Sequence, residues 1–283
     1  MKLKSTFVLS ATALLMTTSL ALAEGMAADT VIASQRAALA ENTAGKGFGP
    51  QSPRNIDTFA GNNDRVFAEA PAYTEMNLCN IHFHDGAEHQ GGEFTLFAGT
   101  GDGAGFGTGF KYAGNLTEAE LAPFGKAVGD KGHGGLVSGD TIEVHYVHTT
   151  AQVTPGPTLG ACLSEAISNP QLRVETQVYV LVNDPAAADF VALTAHDVVD
   201  GVHQAINIPA NTGTPVQYEG STTGPGYNEV GSPLQVSWSV RPQVVKVNIA
   251  SVDAWFQNNL FGEDHAHGVR NLVENPDLLS PIN

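Results

Sequence analysis

Alternation of apolar and polar positions predicts β-strands along much of this chain. Residues 80–84 read Asn-Ile-His-Phe-His, so apolar side chains point to one face and polar side chains to the other. Residues 141–148 read Thr-Ile-Glu-Val-His-Tyr-Val-His, and their β-branched and aromatic residues favour a strand. Alternating or apolar runs at 176–182, 234–240 and 244–249 predict three more strands.

Helical signals are fewer and shorter. Thr-Glu-Ala-Glu at 117–120 has the spacing of a capping box and predicts the start of a short helix. Ser251 can cap a second helix that carries Trp255 and Phe256. Residues 99–114 are rich in glycine but lack the Gly-Lys-Ser/Thr of a phosphate loop, so we expect a flexible surface loop. The pattern predicts a mainly β fold with short helices.

The N-terminus has the features of a secretory signal. Lys2 and Lys4 precede an apolar or small run at 7–20, and Ala-Leu-Ala at 21–23 matches a cleavage site, which predicts a mature start at Glu24. The run is short and diluted by Thr and Ser, so a membrane anchor is the weaker interpretation. We therefore expect an exported protein, periplasmic or secreted, with no membrane attachment after removal of the signal.

The charge of the chain argues against some classes of binding partner. Asp and Glu number 29 against 13 Lys and Arg, a balance that disfavours binding to nucleic acid or to anionic membranes.

The chain has two cysteines, Cys79 and Cys162, and export predicts that they pair in a disulfide. Strand alternation puts Cys79 on the face opposite His82, which makes a cysteine metal ligand the weaker alternative.

The two histidine-bearing strands carry the candidate chemistry. His82 and His84 share a face, and two imidazoles side by side on a rigid strand are two of the three ligands of a catalytic zinc site. In the second strand, Glu143 and His145 share one face and His148 falls on the other. His145 is therefore the candidate third ligand, and the Glu143 carboxylate is placed to accept its second ring N–H. Zinc is the expected metal, with Co²⁺ or Cd²⁺ as possible substitutes.

Five separated motifs, in preserved order, together resemble the carbonic anhydrases, specifically the delta class and its bacterial relatives, distant kin of the alpha class. They are Gln-Ser-Pro-Arg-Asn-Ile-Asp at 51–57, Asn-Ile-His-Phe-His at 80–84, Glu-His at 88–89, Glu-Val-His-Tyr-Val-His at 143–148, and Gly-Ser-Thr-Thr-Gly-Pro at 220–225 with Val-Ser-Trp at 236–238. The resemblance implies a single domain around a central, largely antiparallel β-sheet. It also implies a zinc-dependent lyase that interconverts CO₂ and bicarbonate through a metal-bound hydroxide on the three histidines.

The same resemblance implies roles for the neighbouring polar residues. Asn80 lies where an amide usually supports a histidine ligand. Thr222 or Thr223 is expected to orient the hydroxide, with Thr222 favoured, and Glu88 is expected to accept the threonine proton. A proton must also leave the site, and His133 lies in a glycine-rich run exposed enough to carry it. A solvated loop histidine is the alternative interpretation of His133.

The targeting signal, the composition after it and the resemblance together give the expected domain organisation. We predict a signal peptide at 1–23, an N-terminal lead-in at 24–46 that is polar or weakly helical, and a carbonic-anhydrase-like catalytic domain at 47–283. The expected partner is a small-molecule substrate, CO₂ or bicarbonate. The sequence does not indicate an oligomeric state.

Two other classes of function stay open at this stage. The His-x-His-x₃-Glu spacing matches half of a cupin metal motif, which would make Glu88 a ligand, but the second half of that motif is not visible. A non-catalytic exported metal-binding protein is the other alternative. His265 and His267, with Asp264, could form a weak second metal site, although a surface contact is the simpler interpretation.

Overall fold

The computed structural model describes residues 27–52, 55–58, 61–222, 226, 228–270 and 273–282. The predicted signal peptide at 1–23 and Thr223 lie outside these residues. Within the described part of the chain, no helix combines the length and the apolar character needed to cross a membrane.

Strands dominate the described residues, and the helices are short. The strands are β1 (Asn77–Asp85), β2 (Leu96–Thr100), β3 (Thr108–Lys111), β4 (Thr141–Thr149), β5 (Leu172–Val182), β6 (His196–Val199), β7 (Val202–Ala205), β8 (Val216–Ser221) and β9 (Gln235–Asn248). The helices are α1 (Asp29–Thr43), α2 (Phe190–Leu193) and α3 (Ile249–Gln257). The predicted mainly β class is confirmed.

A five-stranded sheet in the order β1-β4-β5-β9-β8 forms the centre of the fold. Three of its strand pairs are antiparallel and only β5 and β9 run parallel, so the largely antiparallel sheet that the resemblance implied is confirmed. In the β1–β4 register, His82 lies opposite His145 and His84 opposite Glu143. This pairing brings the two predicted histidine strands directly together.

A hydrophobic core covers each face of the central sheet. Every residue of β4 and β5 is therefore buried. Phe83 and Tyr146 belong to the core that α3 covers, where the Phe83 ring stacks on Phe256 with centroids 5.2 Å apart. Val147 and Trp238 belong to the core on the other face. The histidine side chains share that second face, since the His145 ring lies 5.0 Å from Trp238.

Some predicted elements differ from the observed ones. The runs at 234–240 and 244–249 form one continuous strand, β9, that passes through Pro242. The 117–120 segment makes both capping-box bonds, Thr117 N to Glu120 Oε2 at 2.7 Å and Glu120 N to Thr117 Oγ1 at 3.2 Å, but no helix follows. Pro123 and Gly125 come too soon after this turn for a helix to continue.

The second predicted helix exists but begins earlier than expected. It starts at Ile249, where the Asn248 side chain accepts the Ala250 N–H at 3.1 Å, so Asn248 and not Ser251 is the capping residue. Ser251 instead donates its hydroxyl to the Asn248 carbonyl.

The glycine-rich segment at 99–114 is more ordered than the sequence predicts, because it contains strand β3. Its turn also supports the 268–270 segment: Val269 N donates to Gly105 O at 2.6 Å. Gly105 has a φ of +107°, and a Cβ there would collide with the Val269 carbonyl. Glycine at this position therefore serves a close approach between two backbones.

The N-terminal lead-in includes a helix of 15 residues, α1, that packs against the C-terminal segment. Leu39 of α1 forms a small core with Val273, Leu278 and Leu279. At its surface, Arg36 pairs with Glu274 at 2.9 Å.

Candidate metal centre

Three histidine rings meet between β1 and β4. Centroids of His82, His84 and His145 are separated by 5.4 Å, 5.1 Å and 4.9 Å, and all three side chains are buried. One ring nitrogen from each lies within 4.8 Å of the other two. The alternation of β1 aligns His82 with His84, and the register with β4 adds His145.

Hydrogen bonds fix the tautomer of the first ring. His82 Nδ1 lies 2.6 Å from Asn80 Oδ1. The Asn80 amide is oriented by its Nδ2, which donates to the Gly156 carbonyl at 3.0 Å. Asn80 therefore offers an oxygen to the ring, so His82 Nδ1 carries the proton and Nε2 keeps a lone pair.

Hydrogen bonds fix the tautomers of His84 and His145 in the same way. His84 Nδ1 lies 3.0 Å from the Gly268 carbonyl, and a carbonyl can only accept, so the lone pair is on His84 Nε2. His145 Nε2 donates to Glu143 Oε1 at 2.7 Å, which leaves the lone pair on His145 Nδ1. Each ring is thus held through one nitrogen and presents the other to a common point.

These converging lone pairs suit a cation. His145 Nδ1 and His82 Nε2, both acceptors in these tautomers, face each other at 3.3 Å. His84 Nε2 is buried and has no hydrogen-bond partner among the described residues. Nitrogens about 2.0–2.1 Å from one tetrahedral zinc ion lie roughly 3.3 Å apart. The donor set therefore fits a zinc-sized ion.

Burial keeps the rings ready to bind metal. Desolvation, followed by the neighbouring histidines, holds the pKa of His82 well below its usual value. Desolvation also lowers the pKa of His84 to about 4, although the charge of Glu88 opposes it. Both rings are therefore neutral at neutral pH, the protonation state that ligates a metal.

Glu143 is shared between two histidines. Its Oε1 lies 2.7 Å from His89 Nδ1 as well as from His145 Nε2, and its Oε2 accepts the His89 main-chain N–H at 3.0 Å. Burial alone would raise the pKa of this carboxyl, but His89 and His145 hold the pKa well below its usual range. His89 Nε2 in turn lies 2.6 Å from the Tyr218 hydroxyl. A buried chain therefore runs from the candidate ligand to Tyr218.

Sequence reasoning placed Glu143 beside His145 but did not find His89 as its second partner. The Glu-His motif at 88–89 was the available signal, yet alternation cannot show that a residue after β1 folds back onto β4.

Glu88 lies at the edge of the histidine cluster. Its Oε2 is 3.7 Å from His84 Nε2 and 3.9 Å from His145 Nε2, and its Oε1 accepts the Arg270 main-chain N–H at 3.3 Å. Glu88, Glu143 and His145 also form a second group with ligand atoms within 4.8 Å. In this second group both carboxylates approach His145 at Nε2, and that nitrogen already donates to Glu143, so the three-histidine set is the stronger candidate.

The threonine pair is only partly described. Thr222 directly follows β8, is buried, and donates its main-chain N–H to the Leu234 carbonyl at 3.2 Å. Thr223 lies outside the described residues. The choice between the two hydroxyls stays a prediction.

His133 and the C-terminal histidines lie in different surroundings. The His133 ring stacks on Phe106 with centroids 3.8 Å apart, and its Nδ1 lies 3.1 Å from Asp102 Oδ2. It is partly exposed, and its shuttle role stays a prediction. His265 pairs with Asp264 at 2.6 Å at the surface.

The His267 side chain is 44% exposed and pairs with Glu263 at 2.6 Å, in keeping with the predicted surface contact, but it also lies beside the candidate ligands. Its ring lies 5.4 Å from His82 and 5.9 Å from His84. Residues 267–268 run beside β1, with His267 N donating to Phe83 O at 2.8 Å. Burial opposes protonation, yet the hydrogen bond and charge of Glu263, with the charge of Glu88, raise the pKa of His267. In the sequence, the His-Ala-His spacing at 265–267 was the available signal that His267 could lie near a metal site.

The two cysteines form a disulfide, with Cα atoms 5.0 Å apart. The register between β1 and β4 shifts between Leu78 and Asn80, so simple alternation does not place Cys79. Instead of lying opposite the histidine face, Cys79 and Cys162 both belong to the core cluster on the Trp238 side. The bond ties the start of β1 to the turn at Leu159–Cys162.

Exported protein is expected to carry this bond quantitatively. Without reduction, its intact mass should be lower by about two hydrogens, and no thiol should react with an alkylating reagent. Reduced and alkylated protein is the control. Two alkylatable thiols in protein taken from the exporting compartment would contradict the prediction.

Comparisons with known proteins identify the family of this chain. A sequence model of the delta carbonic anhydrase family matches residues 73–251, well over half of the chain and including all three candidate ligands. Among solved structures, a halotolerant carbonic anhydrase from Dunaliella salina is similar with 14% identity and a TM-score of 0.35, over 84% of this chain and 88% of that chain. The alpha-carbonic anhydrase from Thermovibrio ammonificans in complex with the inhibitor sulfanilamide shows 16% identity and a TM-score of 0.27, over 81% and 84%. A search of curated proteins finds no match. The family match over more than half of the chain confirms the predicted enzyme class and shows that the chain belongs to the delta carbonic anhydrase family.

Proposed function

We propose that this protein is an exported, zinc-dependent carbonic anhydrase that interconverts CO₂ and bicarbonate at the His82, His84 and His145 site. The observation that carries the proposal is the convergence of three buried imidazole lone pairs within 4.8 Å. Asn80, the Gly268 carbonyl and Glu143 hold the opposite nitrogens. Such outer partners fix ring orientation and increase ligand basicity.

Zinc bound there supplies a Lewis acid that turns water into a nucleophile at neutral pH. Co²⁺ or Cd²⁺ could occupy the same donors, because three imidazoles do not discriminate strongly among related divalent ions. Elemental analysis of protein purified without added metal identifies the native ion.

The chain's own residues would then orient the nucleophile. In this proposal the hydroxyl of Thr222, or of Thr223 in its place, would donate a hydrogen bond to Glu88, so that its oxygen could only accept a hydrogen bond from the nucleophile. This directionality would orient the nucleophile towards CO₂. The burial of Glu88 beside His84 and its hydrogen bond from the Arg270 main-chain N–H support this role. His133 is the proposed carrier of the released proton, because it is partly exposed and paired with Asp102.

CO₂ hydration by the mature, zinc-loaded protein tests the proposal. We expect rapid acidification in a stopped-flow indicator assay, and loss of that activity after zinc is removed by a chelator. Zinc-loaded carbonic anhydrase of another source calibrates the assay. Folded protein with one zinc per chain and no hydration above the buffer rate would favour a non-catalytic metal-binding protein instead.

A further inference from the structure

Gln51 is a completely buried glutamine outside the metal centre, with every side-chain hydrogen-bonding group engaged. Its Oε1 accepts from Ser221 Oγ at 3.0 Å, Ser232 N at 2.8 Å and Arg270 Nη2 at 3.1 Å. Its Nε2 donates to Gly49 O at 3.0 Å and to Ser232 O at 3.2 Å. One amide thus connects three segments that are far apart in sequence.

The first connection fixes both ends of the threonine-bearing loop. Ser221 directly precedes Thr222, and it is held again by Ser52, whose hydroxyl donates to Ser221 O at 2.6 Å and accepts from Ser221 N at 3.2 Å. Ser232 lies at the far end of the same loop and bonds Gln51 through both its N–H and its carbonyl. Gln51 therefore clamps the 221–232 segment at its two ends.

The second connection leads to Glu88. Arg270, whose side chain is also fully buried, bonds Gln51 through its guanidinium and donates its main-chain N–H to Glu88 Oε1 at 3.3 Å. The threonine loop and the Glu88 contact thus share a single buried amide. Among the described residues, no strand pairing joins Ser221, Thr222 or Ser232 to Arg270, whereas the Gln51 side chain bonds both segments.

We propose that Gln51 is a positioning residue that sets the placement of Thr222 relative to Glu88 in the carbonic anhydrase reaction. The proposal rests on the proposed function, because it uses the roles given there to Thr222 and Glu88. Removing the amide would leave buried donors and acceptors without partners on both segments. A shift of about 1 Å between catalytic groups can cost roughly 100-fold in rate.

Gln51→Ala and Gln51→Glu test this role. We expect kcat/KM for CO₂ to fall about 10–100-fold in Gln51→Ala with zinc content unchanged, because no ligand or ligand partner is altered. Gln51→Glu keeps an oxygen for the three accepted bonds, but its second oxygen faces the Gly49 and Ser232 carbonyls, so kcat/KM should be reduced in this variant as well. The pH midpoint of the kcat/KM profile should stay at the wild-type value, since the metal environment is intact.

Gln204→Ala is the matched control. Gln204 is also a buried glutamine, and its Nε2 donates to Tyr73 O at 3.1 Å and Met76 O at 2.7 Å, near the start of β1. Its removal should lower thermal stability while leaving kcat/KM per zinc-loaded molecule within about twofold. An equal loss of kcat/KM in both variants would overturn a positioning role for Gln51.

A double-mutant cycle separates positioning from general destabilisation. In a Glu88→Ala background, adding Gln51→Ala should cost less than about a further twofold, because the pair it positions is already broken. Fully additive losses would contradict the proposal. If Gln51→Ala does not fold, the same cycle with Gln51→Glu decides.

Amide hydrogen exchange keeps this proposal distinct from the proposed function. Exchange in the 221–232 segment should accelerate in the Gln51 variants and not in Gln204→Ala. Wild-type protein that hydrates no CO₂ would reject the enzymatic function, whereas unchanged exchange in that segment would reject the clamp.

Discussion

His82→Ala, His84→Ala and His145→Ala are each expected to abolish most zinc binding, whereas His148→Ala should keep one zinc per chain. Zinc binding free energies at structural sites are about 10–16 kcal/mol, so loss of one of three imidazole ligands should remove a large share of the binding free energy and cost more than the loss of an outer partner such as Glu143. His148 lies on the same strand as His145, but its ring contacts other residues than the candidate ligands. Its Nδ1 donates to the Tyr146 carbonyl at 3.0 Å, and its ring packs against Tyr73.

His148→Ala is the demanding control, because it removes a buried histidine three residues from a candidate ligand. Burial lowers the pKa of His148 to about 3, so its loss removes a neutral ring from the core and should lower stability. Metal content is therefore compared only in folded, monodisperse samples, by elemental analysis and circular dichroism. Folded His148→Ala without metal, together with His145→Ala that retains it, would overturn the ligand assignment.

Replacement of Glu143 by glutamine is also expected to weaken zinc binding strongly. The Glu143 carboxylate accepts three N–H groups, two from His89 and one from His145. The amide of Glu143→Gln has one oxygen to accept with, and its NH₂ would face at least one N–H donor. Zinc affinity should fall about 10–100-fold while all three ligands remain. Loss of the negative charge also makes the ligand set less electron-donating, so the pH midpoint of activity should move down.

Glu88→Ala provides the contrast. It should bind zinc with near-normal affinity and lose turnover, since Glu88 is proposed to act through the threonine and not as a ligand. Competition with a chromophoric chelator measures zinc affinity for both variants side by side. If Glu88→Ala loses metal and Glu143→Gln binds normally, Glu88 is a ligand and the proposed site is wrong.

The sequence by itself determined the parts of the site that depend on strand periodicity. Side chains alternate along any regular strand, so His82 shares a face with His84, and Glu143 with His145, whatever the rest of the fold does. The same rule separated His148 from the ligands. Export signals and the presence of only two cysteines were also enough to predict the Cys79–Cys162 bond.

Local sequence patterns did not predict the structure correctly where the chain departs from a regular strand or helix. The shift between Leu78 and Asn80 moved Cys79 out of the predicted pattern. The capping box at 117–120 formed without a helix, since the turn was not continued. Local rules predict the bonds of a motif but not whether the following chain can extend it.

Only the tertiary structure decided which distant groups complete the site. The register of β1 on β4 set His82 opposite His145, and the 267–268 segment beside β1 brought the Gly268 carbonyl to His84 and the His267 ring to the cluster. The fold also directed His89 to Glu143 and Gln51 to Ser221. These contacts join residues separated by tens to hundreds of positions. They depend on strand register and loop path, which are set by the packing of the whole domain and leave no periodic signal in the chain.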